Sequence, residues 1–454
     1  MINLQDKNIL LIEDFLTVRQ SIKDMLMMLG AAEVMEVGNG LKAIEKMEHK
    51  RYDIVLCDYN LGKGKNGQQV LEEARERKLL LYDAVFIIIT AEQVQSMVLS
   101  VMENKPDEYL AKPFSAQQLS VRIERSLDKK EFFKDIEACR EKKQYQAGID
   151  LCVKELTQKS VKMRGALLKM RAELTVDLQD YSKAQELYIA IIQDRELDWA
   201  IEGLARVHIL QKEYKQAGSL LVNLIDKSPI NMGAYDLLSQ VYQAIGQDSK
   251  AKDVLKKATM LSPLTILRQR ELAEIAEKTG DLMIAEEAGK SVVELGKHSV
   301  HRDINDFSKL ANVLIKADKE AEVTGLIKEM RNDFADDSND LLLATIAESG
   351  IYKKLGDEAK SSTAFKSALA LNEKGDIDKD LELEIVKTCF LNHKPEEGQE
   401  LLDKLVKSHV DDELFLKKIM AMTQELDLQD KVNSLIQQAK EELVSINNEG
   451  VKLY

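Results

Sequence analysis

Cysteine, proline and aromatic residues are scarce in this 454-residue chain, and no apolar run is long. The four cysteines (Cys57, Cys139, Cys152 and Cys389) contain no CxxC pair, which removes support for a disulfide framework or a zinc site and predicts reduced core thiols. The longest apolar stretch, around Ala84 to Ile89, is the size of a strand and far below the ~20 residues a membrane helix needs. The opening MINLQDKNILLIED has neither the cationic head nor the small-residue cleavage site of a secretory signal. The expectation is a soluble, cytoplasmic protein with no membrane partner. Basic charge is also short: 64 Lys and Arg stand against 78 Asp and Glu, a net charge of −14. Residues 1–127 hold 16 basic and 19 acidic side chains and the remainder 48 and 59, so neither part is built to bind nucleic acid.

With 44% apolar residues over this length, two or three cores are expected. Composition changes once along the chain. Up to about residue 113, short β-branched runs (NILLIED, AAEVMEVG, DIVLCD, AVFIIIT, DEYLAKPF) alternate with helical patterns, which predicts a parallel sheet covered by helices on both faces. After residue 115 the strands vanish, and only three prolines interrupt what reads as helix.

Ligands of open α/β sheets gather at the carboxyl ends of the strands. Glu13 and Asp14 close the first strand, Asp58 the third and Thr90 the fourth, and Lys112 follows the fifth. Three carboxylates in one crevice repel each other unless a divalent cation neutralises them, and hard oxygen ligands suit Mg²⁺. A carboxylate beside bound Mg²⁺ can attack a phosphoryl group, with the Thr90 hydroxyl and Lys112 ammonium as donors to the transferred oxygens.

These residues resemble the receiver domains of bacterial response regulators. LLIEDFLTVRQSIKDMLMMLG is similar to the first strand and helix of chemotaxis receivers, DIVLCDYNL to the phosphoacceptor strand, IIITA to the fourth strand and EYLAKPF to the fifth. The resemblance, over roughly residues 5–127, implies a five-stranded doubly wound α/β domain with Asp58 as phosphorylation site. It implies Asp14 as a direct Mg²⁺ ligand, Glu13 acting mostly through water, and the Asn60 backbone carbonyl as a further ligand. Thr90 and Lys112 would bind the phosphoryl group and Tyr109 would be the aromatic switch. One departure is the segment after Asp58: receivers usually carry Pro four residues on, whereas this chain reads YNLGKGKNG to Gly67, a longer loop.

The remainder is repetitive. Small residues recur at Gly148, Ala184, Ala217, Ala251 and Ala285, spaced 36, 33, 34 and 34, and a second small residue lies twelve earlier at Ala172, Ala205, Ser239 and Ala273. Small residues are needed where the helices of a hairpin cross closely. Pro229 and Pro263, each after a serine, stop second helices. With Tyr181, Tyr214, Tyr235 and Tyr242 at aromatic-preferring positions, this resembles the tetratricopeptide repeat, an all-α helical-hairpin solenoid. Looser hairpins are expected near Ala321, Ala359, Gly398 and Lys431. The expected domains are a receiver over 1–127, a helical linker over 128–147 running into the first hairpin, tetratricopeptide-like repeats over 131–297 and degenerate hairpins over 298–454. Ser115 and Gln118 mark a capping-box start for the linker helix.

Arg171, Glu202, Arg206, His208 and Gln240 are polar candidates for a binding face on first helices, and solvated surface is the simpler account of them. His298 and His301 lack a partner ligand pattern and read as surface residues, and Trp199 as a packing residue. No Gly-rich phosphate loop or nucleophile constellation follows residue 130, so an enzymatic output is not expected. The reading is a phosphorelay response regulator, phosphorylated by a histidine kinase or phosphotransfer protein, whose repeats bind a protein target. Phosphorylation-dependent self-association is compatible with it. The alternatives are a phosphate sink whose repeats only localise it, or an unrecognised enzymatic output.

Overall fold

A computed structural model describes residues 4–91, 95–158, 163–372, 378–391, 394–424 and 428–452. The chain divides into two compact units, residues 1–302 and 303–454.

The first unit opens with β1 (Ile9–Ile12), α1 (Leu16–Met28), β2 (Val34–Val37), α2 (Gly40–His49), β3 (Ile54–Asp58), α3 (Gly67–Glu76), β4 (Val85–Thr90), α4 (Gln95–Glu103) and β5 (Glu108–Ala111). The five strands form one parallel sheet in the order β2-β1-β3-β4-β5. Residues of β1, β3 and β4 are buried throughout, as a sheet covered on both faces requires. Alternate side chains feed two cores, one containing Leu10, Ile12, Val55, Cys57, Phe86 and Ile88, the other Ile9, Leu11, Ile54, Leu56, Ile87 and Ile89.

Helix α5 (Ala116–Glu141) starts at the capping box the sequence predicts: the Ser115 hydroxyl accepts from the Gln118 amide and the Gln118 side chain from the Ser115 amide. Its first half packs Leu119 and Ile123 on the sheet. Arg122 pairs with Glu108 at 2.7 Å and Lys130 with Asp107 at 2.8 Å, while its second half buries Phe133 and Ile136 against the helices that follow. One helix thus belongs to both packing systems.

From there the chain is helical: α6 (Tyr145–Leu156), α7 (Arg164–Asp177), α8 (Tyr181–Asp194), α9 (Asp198–Leu210), α10 (Tyr214–Lys227), α11 (Met232–Ala244), α12 (Asp248–Leu261), α13 (Ile266–Lys278) and α14 (Leu282–Gly296). Ala172, Ala184, Ala205, Ala217, Ser239, Ala251 and Ala285 have no exposed surface, consistent with close helix crossings at the predicted period. Ala273 is only half-buried; in α13 the fully buried small residue is Ala276, one turn later. The hairpin turns repeat as well, through a left-handed residue at Lys143, Gln179, Lys212, Gly246 and Gly280 (φ between 57° and 78°). Each donates its amide back into the preceding helix, a common way to end one.

The second unit holds α15 (Ile304–Lys316), α16 (Glu320–Asp333), α17 (Ser338–Lys354), α18 (Glu358–Asn372), α19 (Lys379–Leu391), α20 (Pro395–Ser408), α21 (Glu413–Gln424) and α22 (Gln429–Lys452). These are four further hairpins, but their anchors differ from the expected ones. Gly398 is buried, whereas Ala321, Ala359 and Lys431 are exposed and Val323, Ser361 and Val432 are buried in their place. Ser361 and Ser349 close the α17–α18 crossing by exchanging hydroxyl-to-carbonyl hydrogen bonds at 2.9 and 3.0 Å. From Ala285 the buried anchors Val323, Ser361, Gly398 and Val432 are spaced 38, 38, 37 and 34, and two of them are valines, which is why the 34-residue pattern blurs. Among the described residues no helix is long and apolar enough to cross a membrane.

Candidate acidic site and its relatives

The sheet brings Glu13, Asp14 and Asp58 together at the carboxyl ends of β1 and β3. Each offers a carboxylate oxygen, and the three lie within 4.8 Å of one another. Among the described residues this is the one group of three or more potential metal ligands so disposed. Glu13 and Asp58 are buried, at 1% and 6% exposure. Lys112, placed by β5, reaches both: its Nζ lies 2.7 Å from Glu13 Oε2 and 2.9 Å from Asp58 Oδ1.

One ammonium, paired with two of them, therefore stands against three carboxylates. Burial pushes the Asp58 carboxyl up to about 6. The Lys112 hydrogen bond opposes this, but Glu13 and Asp14 add to it. Burial alone would lower the Lys112 ammonium; its hydrogen bonds to Glu13 and Asp58 outweigh that and raise it. The cluster remains short of positive charge, and Asp14 Oδ1 is buried without a hydrogen-bond partner. An unpartnered carboxylate oxygen beside two further carboxylates fits a hard divalent cation, and this donor set suits Mg²⁺.

Thr90 is 2% exposed at the last position of β4, and its carbonyl accepts from the Lys112 amide at 2.8 Å. Tyr109 is half-buried on β5 against the first core. Asn60 lies in the loop after β3, its side-chain oxygen accepting from the Gly62 amide at 3.3 Å. The longer loop turns on Gly62 and Gly64, with φ of 72° and 100°, and ends at Gly67, whose amide donates to the Tyr59 carbonyl at 2.8 Å. A Cβ at Gly67 would lie 2.3 Å from the Asp58 carbonyl oxygen, so only glycine allows this approach.

Of the repeat candidates, Glu202, Arg206 and Gln240 come together on one groove, and Arg171 and His208 are not part of its lining. His208 is buried and bonded through Nδ1 to Glu213 at 2.5 Å, which makes it a structural residue. Trp199 packs beside Tyr188 and Ala172 and also edges a groove of about 840 Å³ together with Glu202, Arg206 and Gln240. His298 and His301 offer their backbone carbonyls, to Lys65 and Arg270. Sequence reasoning passed over Lys65, Glu103 and Arg268, which join the α/β domain to the repeats. Their partners lie 159 to 233 positions away in sequence, and no local pattern signals such contacts.

The response regulator receiver domain family matches residues 9–124. The chain is 29% identical over 121 residues to the chemotaxis protein CheY of Pseudomonas aeruginosa, covering 27% of this chain and 96% of that protein. It is 36% identical over 116 residues to the transcriptional regulatory protein CiaR of Streptococcus pneumoniae, covering 26% and 49%. Among solved structures it is similar to the receiver domain of a Pseudomonas aeruginosa sensor histidine kinase, described with magnesium in its active-site cleft (29% identity, 27% of this chain and 98% of that one, TM-score 0.24). It is also similar to the C-terminal part of a TPR repeat-containing protein from Cytophaga hutchinsonii (15% identity, 54% and 96%, TM-score 0.41). Residues 9–124 are a response regulator receiver domain with an acidic site suited to Mg²⁺, followed by an array of helical hairpins.

Proposed function

We propose that the protein is a phosphorelay response regulator that takes a phosphoryl group on Asp58 and uses its state to control protein contacts made by the repeats. The observation that carries this reading is the buried Asp58 carboxylate, joined to Lys112 and set beside Glu13 and Asp14. In the reaction, an Asp58 oxygen attacks the phosphorus of a phosphohistidine donor. The new P–O bond forms as the P–N bond breaks, and the leaving imidazole nitrogen takes a proton from solvent. Glu13, Asp14, Asp58 and the Asn60 carbonyl would hold Mg²⁺, which supplies charge neutralisation for the phosphoryl oxygens. The Lys112 ammonium and Thr90 hydroxyl donate to those oxygens, and Tyr109 follows the displacement of Thr90. The donor is a histidine kinase or phosphotransfer protein. Phe15 and Leu16, next to the acidic pair and 66% and 67% exposed, supply an apolar surface on which it can sit.

In this reading the receiver spans 1–127, residues 128–147 link it to the first hairpin, the repeats of 131–297 take the target, and the hairpins of 298–454 extend them. Neither part is an output enzyme. The test is Asp58→Asn in the full chain, read by target binding and by donor dephosphorylation together. Loss of regulated binding supports the adaptor. Unchanged binding with slowed donor dephosphorylation would make the protein a phosphate sink instead.

A further inference from the structure

The receiver's α3 and α4 are not free surfaces. Arg268 of α13 is 2% exposed and takes two carboxylates at once. Its Nε and Nη2 lie 2.7 and 2.8 Å from Asp236 of α11, and its Nη1 and Nη2 lie 3.1 and 2.6 Å from Glu103 of α4. Beside them the hydroxyls of Ser100 (α4) and Ser262 (the end of α12) are 2.8 Å apart, and Ser262 also donates to Glu103. Leu264 packs against the receiver's first core. A second contact comes from the loop after Asp58 and the first turn of α3. Lys65 Nζ donates to the His298 carbonyl at 2.5 Å, and Gln69 Nε2 to the Lys297 carbonyl at 2.9 Å. The departure in the loop sequence thus supplies a tie to α14.

Apart from Leu264, the side chains named in this contact are polar. Undocking would leave Arg268 paired with Asp236 while Glu103, Ser100 and Lys65 regain water, so opening costs far less than exposing a core, as reversible domain contacts require. Both contacts also grow from strands of the acidic site: the Lys65 loop leaves β3 after Asp58, and α4 follows β4 after Thr90. Leu99, Met102 and Glu103 of α4 form one wall of the 840 Å³ groove, whose other walls are repeat helices.

We propose that α4 and the β3–α3 loop form a latch: without a phosphoryl group the receiver docks on α12–α14 and walls off the groove, and a phosphoryl group on Asp58 releases it. This rests on the reading of Asp58 as phosphoacceptor. The test uses the full chain carrying Ser100→Cys and Ser262→Cys, whose side chains face each other across the contact. The rate of disulfide formation under mild oxidation is measured with and without Mg²⁺ and acetyl phosphate, and loading of Asp58 is followed separately by intact mass. The latch predicts a rapid cross-link that slows by roughly tenfold or more on loading, within the usual range of coupling between sites. Adding Glu103→Arg should slow it similarly without loading. If Asp58 loads and the rate is unchanged or rises, the latch is overturned while the phosphoacceptor reading stands. If Asp58 does not load, the phosphoacceptor reading fails, and a cross-link unaffected by Glu103→Arg then overturns the docking contact itself.

Discussion

Replacing Gly67 by alanine tests the geometry around Asp58 more sharply than any change to a charged residue. The added Cβ would sit 2.3 Å from the Asp58 carbonyl oxygen and 3.0 Å from the Tyr59 Cα, both backbone atoms that cannot rotate away. Either the end of β3 or the start of α3 must move. Overpacking of this kind costs about 1–3 kcal/mol, and a clash with backbone belongs at the upper end. At about 3 kcal/mol, local opening rises roughly a hundredfold. Gly64 is the matched control: an added Cβ there meets nothing within 4 Å, but φ is 100°, so alanine carries only left-handed strain of about 1–2 kcal/mol. Hydrogen exchange at the amides of β3 and α3 is the right assay, because a chain of two compact units does not unfold in one step. Gly67→Ala should expose these amides about tenfold more than Gly64→Ala does and should abolish phosphoryl uptake, by displacing Asp58. Equal protection in Gly67→Ala and the parent protein, or greater damage from Gly64→Ala, would refute the reasoning.

Other outcomes follow from the same structure. Because the Asp58 carboxyl is raised to about 6 in the metal-free site, its protonated form is favoured by folding; that contribution is complete below the ordinary carboxylate range and is lost as pH rises through about 6. Mg²⁺ favours the ionised form, so a carboxyl NMR titration of Asp58 should shift to lower pH with Mg²⁺, and an unmoved midpoint would contradict the site. Phe15→Ser should slow transfer from a phosphohistidine protein while leaving uptake from acetyl phosphate unchanged, since only the former needs the apolar surface; equal loss of both would argue against it. Ala217→Leu, at a crossing with no exposed surface, should destabilise the repeats around it by about 1–3 kcal/mol, read by hydrogen exchange at the amides of α9 and α10; unchanged protection there would contradict the close crossing.

Much of the fold was legible because it is written in local pattern. The β-α alternation and the strand-end positions of Asp14, Asp58, Thr90 and Lys112 follow from buried strands that must finish where loops converge. The central hairpins follow from alanines that fit between close helices. The turns were harder to see, because Lys143, Gln179 and Lys212 adopt the left-handed conformation without glycine, held by amides bonded back into the preceding helix. In the last hairpins Val323 and Val432 stand where small anchors are expected and the spacing lengthens to 38, 38 and 37 from Ala285 to Gly398, so the period is lost to inspection. Arg268 was invisible for a different reason. On its own helix it is one charged residue among several, and its meaning comes from Glu103 of a helix folded much earlier in the chain. The role of the segment after Asp58 was not legible either, because Lys65 of the loop and Gln69 of α3 bond to carbonyls just beyond α14, more than 200 positions away.

The central claim is chemical: Asp58 carries the phosphoryl group. Loading the full chain with acetyl phosphate and Mg²⁺, reducing the acyl phosphate with borohydride and mapping the product by peptide mass spectrometry tests it directly. The account predicts homoserine at position 58 and none after Asp58→Asn. Reduction at Glu13 or Asp14 instead, or no Mg²⁺-dependent reduction at all, would contradict it.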